Sequence, residues 1–154
     1  MIIWGHMKNI KLNRVSYNPG CSDMLGERHS VLVRCDKNGK WTMTCSDRKV
    51  YSEPTTVTSY SVSDESIAQF EEFIIKNNVF ELSKRPDSGI FATDYRPWSW
   101  SFDYETTSFG QVKEEYCSFE EYSRYNGHDY ELLKELKKML YTLRGEKISE
   151  TTEN

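Results

Sequence analysis

Residues 96–105, RPWSWSFDYE, place an aromatic side chain at every second position. The aromatic positions are Trp98, Trp100, Phe102 and Tyr104, and polar residues stand between them. Because successive side chains of a β-strand point to opposite faces, this spacing predicts a strand with one aromatic face and one polar face. The aromatic face either lines the interior of a sheet or forms a platform that stacks on a ligand.

The composition of the chain favours the interior. Hydrophobic residues make up 37% of the 154 residues, whereas aromatic residues alone make up 14%. A chain with few aliphatic side chains needs its rings for the core, since each ring buries about 150–250 Å². A row of exposed rings would also form an apolar patch that soluble monomers rarely carry. We therefore predict that residues 98–104 face inward; the alternative is carbohydrate or small-ligand binding through this aromatic strand.

The charge pattern limits the classes of partner. The chain has 20 basic and 24 acidic residues, a net charge of −4, and its basic residues are scattered. Nucleic-acid binding depends on clustered Lys and Arg side chains, so no nucleic-acid partner is expected. No apolar run approaches the roughly 18 residues of a membrane-spanning helix, so no membrane partner is expected either.

The ends of the chain are predicted to lie outside the folded unit. Residues 1–7 are interpreted as a non-native or disordered start, residues 8–145 as one domain, and residues 146–154 as a disordered tail. The first residues lack the cleavage site of a secretory signal, which favours a cytoplasmic protein. The four cysteines form no Cys-x-x-Cys pair, so reduced thiols are expected, with no metal and no cofactor.

The clearest local structure is a hairpin centred on residues 37–39. Apolar residues alternate on both of its arms, at Val31, Val33, Cys35, Trp41, Met43 and Cys45. A three-residue loop pairs Cys35 with Trp41 and puts both apolar sets on one face, whereas a two-residue turn would put them on opposite faces. We therefore predict the three-residue loop, with Gly39 in the left-handed conformation.

Three further strands are predicted from alternating or β-branched residues, at residues 8–17, 55–62 and 112–119. In the first of them, Ile10, Leu12 and Arg14 are expected on one face. The third pairs with the aromatic strand, and its register stays open. Either the even-numbered residues, with Tyr116, or the odd-numbered residues, with Cys117, face the interior.

Two amphipathic helices are also predicted. The first has Ser63 as its N-cap residue and acidic residues in its first turn. Its apolar positions are Ile67, Phe70, Phe73 and Ile74. The second begins at Asp129 as N-cap, carries leucines at three- and four-residue spacing, and ends at Gly145 as the C-cap glycine.

This order of elements indicates the α+β class. We predict an antiparallel sheet of about five or six strands, in which a β-meander is followed by a helix, a β-hairpin and a second helix. Both helices are expected on one face of the sheet, because their apolar stripes need the aromatic sides of the two hairpins to bury against.

Two segments have the composition of a binding surface. The loop at residues 83–97 is longer than most connections, and loops held by a rigid scaffold often carry function. The segment that follows residue 121 combines Tyr and Arg with small polar neighbours, as protein-binding surfaces do. The candidate binding residues are Asp87, Asp94, Tyr95, Arg96, Tyr122, Arg124 and Tyr125.

The sequence contains no motif of a known catalytic site. His29 lies two residues from Glu27, so the two side chains could share a strand face, but no third group of a suitable type is near. No catalytic residue is therefore assigned, and an enzyme is the least favoured class. The sequence favours a non-enzymatic protein-binding domain, inhibitor- or immunity-like, whose partner is another protein.

Overall fold

A computed structural model of the protein describes residues 9–18, 28–49, 53–84, 98–121 and 127–153. The strands are β1 (Ile10–Asn18), β2 (Arg28–Cys35), β3 (Trp41–Arg48), β4 (Thr55–Val62), β5 (Ser99–Ser108), β6 (Gln111–Glu120) and β7 (Lys147–Glu153). They form one seven-stranded sheet in the order β6-β5-β1-β2-β3-β4-β7, and every neighbouring pair is antiparallel.

The helices are α1 (Asp64–Lys76), a 3-10 helix (Val79–Lys84) and α2 (Gly127–Thr142). Ser63 caps α1 as predicted, because its hydroxyl accepts a hydrogen bond from the Ser66 N–H at 3.1 Å. The buried residues of both longer helices belong to the same core as the inward-facing residues of the sheet. The α+β class with an antiparallel sheet is therefore confirmed.

The aromatic strand lies inside, as the composition predicts. Trp100 and Phe102 are 0% exposed and Tyr104 is 8% exposed, all on the inner face of β5. The partner strand β6 resolves the open register, since Cys117 lies opposite Phe102 and is buried. Tyr116 consequently points to the opposite, outer face of the sheet.

The first hairpin has the predicted register. Cys35 lies opposite Trp41, and Val33 lies opposite Met43. Gly39 has a φ of 82°, the left-handed conformation that a side chain would strain.

The predicted face of β1 is wrong beyond Leu12. The pairing of β1 with β5 shifts register between Leu12 and Arg14. This β-bulge reverses the alternation, so that Val15 turns inward and Arg14 lies on the outer face beside Asp103. The Leu12 N–H at the bulge donates a hydrogen bond to the Glu71 Oε2 atom of α1 at 2.8 Å.

Both predicted caps of the second helix are wrong. α2 begins by Gly127, so Asp129 lies within its first turn and is buried. Gly145 follows the helix without a left-handed φ. Its N–H instead donates to the Ser61 carbonyl oxygen at 2.8 Å, and an added Cβ would lie 2.5 Å from that oxygen. The glycine is needed for close contact with β4.

The strand count and the tail differ from the prediction. Residues 147–153 form β7 along the edge of β4, where residues 146–154 were expected to be disordered. All side chains of β7 are exposed, so the strand has no apolar alternation by which its sequence could reveal it. Backbone pairing with β4, which no local pattern encodes, is what orders it.

Candidate functional site

The seven candidate binding residues named from the sequence all lie outside the described residues, in the segments 85–97 and 122–126. The described residues show only where these two segments join the sheet. The Glu121 N–H donates a hydrogen bond to the Trp98 carbonyl oxygen at 2.7 Å. The two segments therefore attach to the sheet at adjacent points, at the end where β5 begins and β6 finishes.

An aromatic cluster with one carboxylate occupies this end of the sheet. The Trp100 Nε1–H donates to the Glu121 Oε1 atom at 2.9 Å, and the Tyr17 hydroxyl donates to its Oε2 atom at 3.2 Å. Burial, followed by the Glu121 charge, raises the pKa of Tyr17 well above its ordinary value, so the phenol keeps the proton that it donates. Both carboxylate oxygens are thus engaged within the protein.

Lys137 of α2 lies over two rings at this end of the sheet. Its Nζ atom lies 5.0 Å from the Trp98 ring centroid and 5.4 Å from the Tyr17 ring centroid, within the range of a cation–π contact. The Tyr17 and Trp98 rings stack on each other with centroids 4.9 Å apart. These contacts fasten α2 to the sheet, and a ligand that stacked on Trp98 would have to displace the ammonium group.

His29 pairs with Asp47 across β2 and β3. The His29 Nδ1 and Asp47 Oδ1 atoms are 2.9 Å apart, and both side chains are partly exposed. The carboxylate orients the imidazole, which is the geometry of a general base and also that of an ordinary surface ion pair. Glu27, the neighbour named from the sequence, lies outside the described residues.

The described cysteines are Cys35, Cys45 and Cys117, and all three are free thiols. Burial is the largest cause that raises the pKa of each of them, so the reactive thiolate form is disfavoured. Within the ranges that the structure describes, no three His, Cys, Asp or Glu side chains are grouped so that they could hold a metal ion.

A groove of about 430 Å³ lies between the start of β1 and α1. Its lining includes Ile10, Ala68, Ile75 and the Glu71 carboxylate. Burial raises the pKa of Glu71, while its bond from the Leu12 N–H lowers it by less. This carboxylate ties α1 to the bulge of β1 and has a structural role.

The strongest charge asymmetry lies on the second hairpin. Residues 98–121, which we call the acidic hairpin, contain six acidic residues and one basic residue, Lys113, a net charge of −5. Because the whole chain carries −4, the remaining residues carry +1. The negative charge of this protein is therefore concentrated on β5, β6 and their immediate flanks.

A groove of about 450 Å³ lies along the acidic hairpin and is lined by residues from both of its faces. The groove is lined by Asn13, Asp103, Tyr104, Glu114, Glu115 and Tyr116. Two cations neutralise part of its charge: the Arg14 Nε atom lies 2.7 Å from Asp103, and the Lys113 Nζ atom lies 3.3 Å from Glu115. The groove combines carboxylates with the exposed Tyr116 side chain, a lining suited to cationic side chains.

Exposed apolar side chains accompany this charge. Among the described residues, the large hydrophobic side chains with the greatest exposure are Phe109 at 103%, Val112 at 63% and Tyr116 at 61%, all on the acidic hairpin. Tyr116 and Val112 stand on the outer face of β6, and Phe109 stands at the hairpin tip. Together they place apolar surface next to the acidic groove.

Phe109 is an unfavourable residue at its position in the hairpin turn. Phe109 and Gly110 have φ values of 52° and 76°, which make a two-residue turn of the type that favours Asn followed by Gly. A bulky side chain in the left-handed region is strained, and here no packing compensates, because the ring is fully exposed. Such a violation is typical of a position kept for function.

Comparison with known proteins returns no match: no family model, no curated protein and no solved structure matches this chain. In the described part of the chain, no helix is long and apolar enough to cross a membrane. The fold and the side chains therefore carry the functional argument alone.

The acidic hairpin was not among the sites inferred from the sequence. Two signals could have pointed to it. Net charge counted element by element would have singled out residues 98–121. The Phe109-Gly110 pair would have shown an unfavourable residue in a hairpin turn. The position of Tyr116 on the outer face could not be inferred in the same way, because it depends on the register of β6 against β5 and the sequence leaves that register open.

Proposed function

We propose that this protein is a non-enzymatic protein-binding domain, inhibitor- or immunity-like, that uses the outer face of the acidic hairpin to bind a basic protein surface. The observation that carries the proposal is that one hairpin has a net charge of −5 and also carries the three most exposed large apolar side chains of the described residues. Charged residues or single exposed apolar residues that are scattered over a protein surface are common and would not indicate a binding site.

The two features have complementary roles in association. Concentrated negative charge speeds the encounter with a basic partner and selects against acidic ones. Rings such as Tyr116 and Phe109 supply apolar contact area, and aromatic side chains are enriched among the residues that dominate binding energy. Binding of this kind is expected to weaken as salt concentration rises.

The alternative, carbohydrate or small-ligand binding through residues 98–104, needs exposed rings. Trp100 and Phe102 are fully buried, and the Trp98 ring is covered in part by Lys137. Protein binding through the outer face of the same hairpin has the better support, because the side chains that it requires are exposed.

Selection from a library of random displayed peptides tests the proposal. The target is the whole protein, and the selected peptides are then measured against two double variants. Glu114→Lys with Tyr116→Ser alters the outer face of β6, and Glu153→Lys with Ile148→Ser makes the same kind of change on β7. All four positions are exposed, so both variants should fold.

We expect basic peptides to be enriched and to bind the β6 variant at least about tenfold more weakly, which corresponds to about 1.4 kcal/mol. The β7 variant should bind them like the unaltered protein. Enrichment of peptides without basic character, or equal binding to both variants, would refute the proposal.

A further inference from the structure

The pairing of β5 with β6 determines which backbone groups face the free edge of the sheet. β6 is the terminal strand, and it pairs with β5 over all ten residues without a register shift. In an antiparallel pair, alternate residues exchange their N–H and C=O bonds with the neighbouring strand. The bond from the Glu121 N–H to the Trp98 carbonyl oxygen places the odd-numbered residues of β6 in the set that bonds to β5.

The even-numbered residues consequently direct their backbone N–H and C=O groups away from β5. Val112, Glu114, Tyr116, Ser118 and Glu120 are the five even-numbered residues of the strand, and their side chains stand on the outer face. The backbone of this edge therefore offers a regular row of donors and acceptors, directly beside the acidic and apolar side chains of the proposed binding surface.

Sheet edges in monomeric proteins are usually protected by short length, by a bulge, by proline or by charged side chains, above all lysine. β6 has ten residues, no proline and no register shift, and its single lysine is Lys113 near the hairpin tip. Its outer face instead carries Glu114, with Tyr116 beside it. In the described ranges of the chain no strand pairs with this edge, and its acidic side chains favour a further strand of opposite charge.

We infer that the partner of this protein adds an antiparallel β-strand to β6, and that the strand carries Lys or Arg side chains on the outer face. This inference rests on the proposed function. In an antiparallel pair, residues directly opposite each other have side chains on the same face, within about 4.5–5.5 Å between Cβ atoms. Cationic side chains of the added strand would thus lie next to Glu114 on the outer face.

The same charge argues against a second copy of this chain as the occupant. Two acidic hairpins that met edge to edge would each bring a net charge of −5. Like charges on neighbouring strands are unfavourable, whereas a basic strand neutralises them. The partner is therefore an extended, basic, alternating segment of another protein.

Synthetic peptides with alternate backbone methylation test this inference. The probe has Lys or Arg alternating with Val or Thr. One derivative is N-methylated at the Lys and Arg residues and the other at the Val and Thr residues. Residues whose side chains share a face with Glu114 would point their N–H groups at β6, so only the first derivative loses these hydrogen bonds. Charge and composition are the same in both.

We expect the unmethylated probe and the derivative methylated at Val and Thr to bind alike. The derivative methylated at Lys and Arg should bind at least about tenfold more weakly, since it loses several backbone hydrogen bonds to β6 at once. In the complex, hydrogen exchange at the amides of Val112, Glu114, Tyr116 and Ser118 should slow. Weaker binding of the other derivative would contradict the antiparallel arrangement.

Strand addition and the proposed function give different results in these peptide measurements. Equal binding of all three peptides, weakened by Glu114→Lys, would refute strand addition and leave the proposed function standing. If Glu114→Lys leaves peptide binding unchanged, or if no basic peptide binds, both strand addition and the proposed function are refuted.

A variant of the protein gives a second test. Ser118→Pro removes an N–H that points away from β5 and puts a ring at the edge, a position where edge strands tolerate proline. Its control is Ser118→Thr, which keeps the N–H. We expect at least about a tenfold loss of probe binding for the proline variant alone. Equal binding by both folded variants would overturn strand addition at this edge.

Discussion

The two edge strands of the sheet are held in place by different means. β6 has Cys117 and Phe119 buried in the core, and its ten residues pair with β5 without interruption. β7 has no buried residue, and its pairing with β4 shifts register between Ser59 and Tyr60. One edge is anchored by side-chain packing, the other by backbone hydrogen bonds and the close approach of Gly145 to β4.

The difference shows that an edge strand can be accessible to a partner and still be held firmly in one register. Packing of its inner face keeps β6 in one register, so its outer face and backbone stay preorganised for a partner. β7, whose register shift and mixed charges disfavour further pairing, instead covers the edge of β4. The following substitutions, from the largest expected effect to the smallest, test this contrast.

The largest effect is expected from matched truncations on the two edges. Phe119 packs against Trp100 and Phe102, with ring centroids 6.5 and 5.8 Å away, whereas Ile148 on β7 is 52% exposed. Phe119→Ala should lower the free energy of unfolding by about 3–5 kcal/mol, and Ile148→Ala by less than about 0.5 kcal/mol. Urea denaturation measures both. Similar losses for the two variants would contradict the contrast.

A smaller loss is expected where β7 joins the sheet. A methyl group on Gly145 would lie 2.5 Å from the Ser61 carbonyl oxygen, so Gly145→Ala must push the chain away from β4. We expect a loss of about 1–3 kcal/mol, with faster hydrogen exchange confined to β4 and β7. The control is Gly127→Ala, since nothing lies within 4 Å of the added methyl there. Gly145→Ala with unchanged exchange in β7 would disprove the role given to this contact.

At the tip of the acidic hairpin, stability and binding should change in opposite directions. Phe109→Asn places a preferred residue in the left-handed position and removes an exposed ring. We expect a gain of up to about 1 kcal/mol in the free energy of unfolding, together with weaker binding of the selected basic peptides. Thermal denaturation and peptide titration measure the two effects. Stronger binding by this variant would count against a functional role for Phe109.

The smallest effect concerns the half-buried carboxylate that joins α1 to β1. Burial raises the pKa of Glu71 above its ordinary value of 4.5. As pH rises through that value, the unfolded chain loses the proton first, so the folded state binds more protons and the free energy of unfolding falls. Glu71→Gln keeps an acceptor for the Leu12 N–H without the charge.

This variant should therefore gain stability relative to the unaltered protein as the pH rises from below 4.5 toward neutrality. Denaturation at several pH values checks the sign. An advantage for the glutamine variant that appears only at acid pH would show that burial does not destabilise this charge. Peptide binding should stay unchanged, because Glu71 lies on α1 and not on the acidic hairpin.

The parts of the fold that depend on local alternation were predictable from the sequence. The inward aromatic face of β5, the register of the hairpin at Gly39 and the Ser63 cap of α1 each follow from residues close together in the chain. The bulge between Leu12 and Arg14 was not predictable, because it depends on pairing with the distant strand β5. β7 was not predictable either, because its side chains are all exposed and so show no alternation of apolar and polar residues.

For the candidate site, too, the sequence was informative only where the signal is local. The residues chosen from composition, such as Tyr95 and Tyr122, lie outside the described residues, and their role stays a prediction. The acidic hairpin combines local signals with a register that the sequence left undecided. Glu114 and Tyr116 share one face of β6 in either register. The pairing of Cys117 with Phe102 is what assigns that face to the outside of the sheet.

Site-specific photo-crosslinking tests the central claim most directly. A benzophenone amino acid replaces Tyr116 on β6 in one variant and Ile148 on β7 in another, and each variant is irradiated in an extract of its native cells at low and at high salt. We predict a protein adduct at position 116 that is crosslinked through a basic, extended segment and is suppressed by salt, with no equivalent at position 148. An adduct formed at position 148 and absent at position 116 would contradict the assignment of β6 as the binding edge.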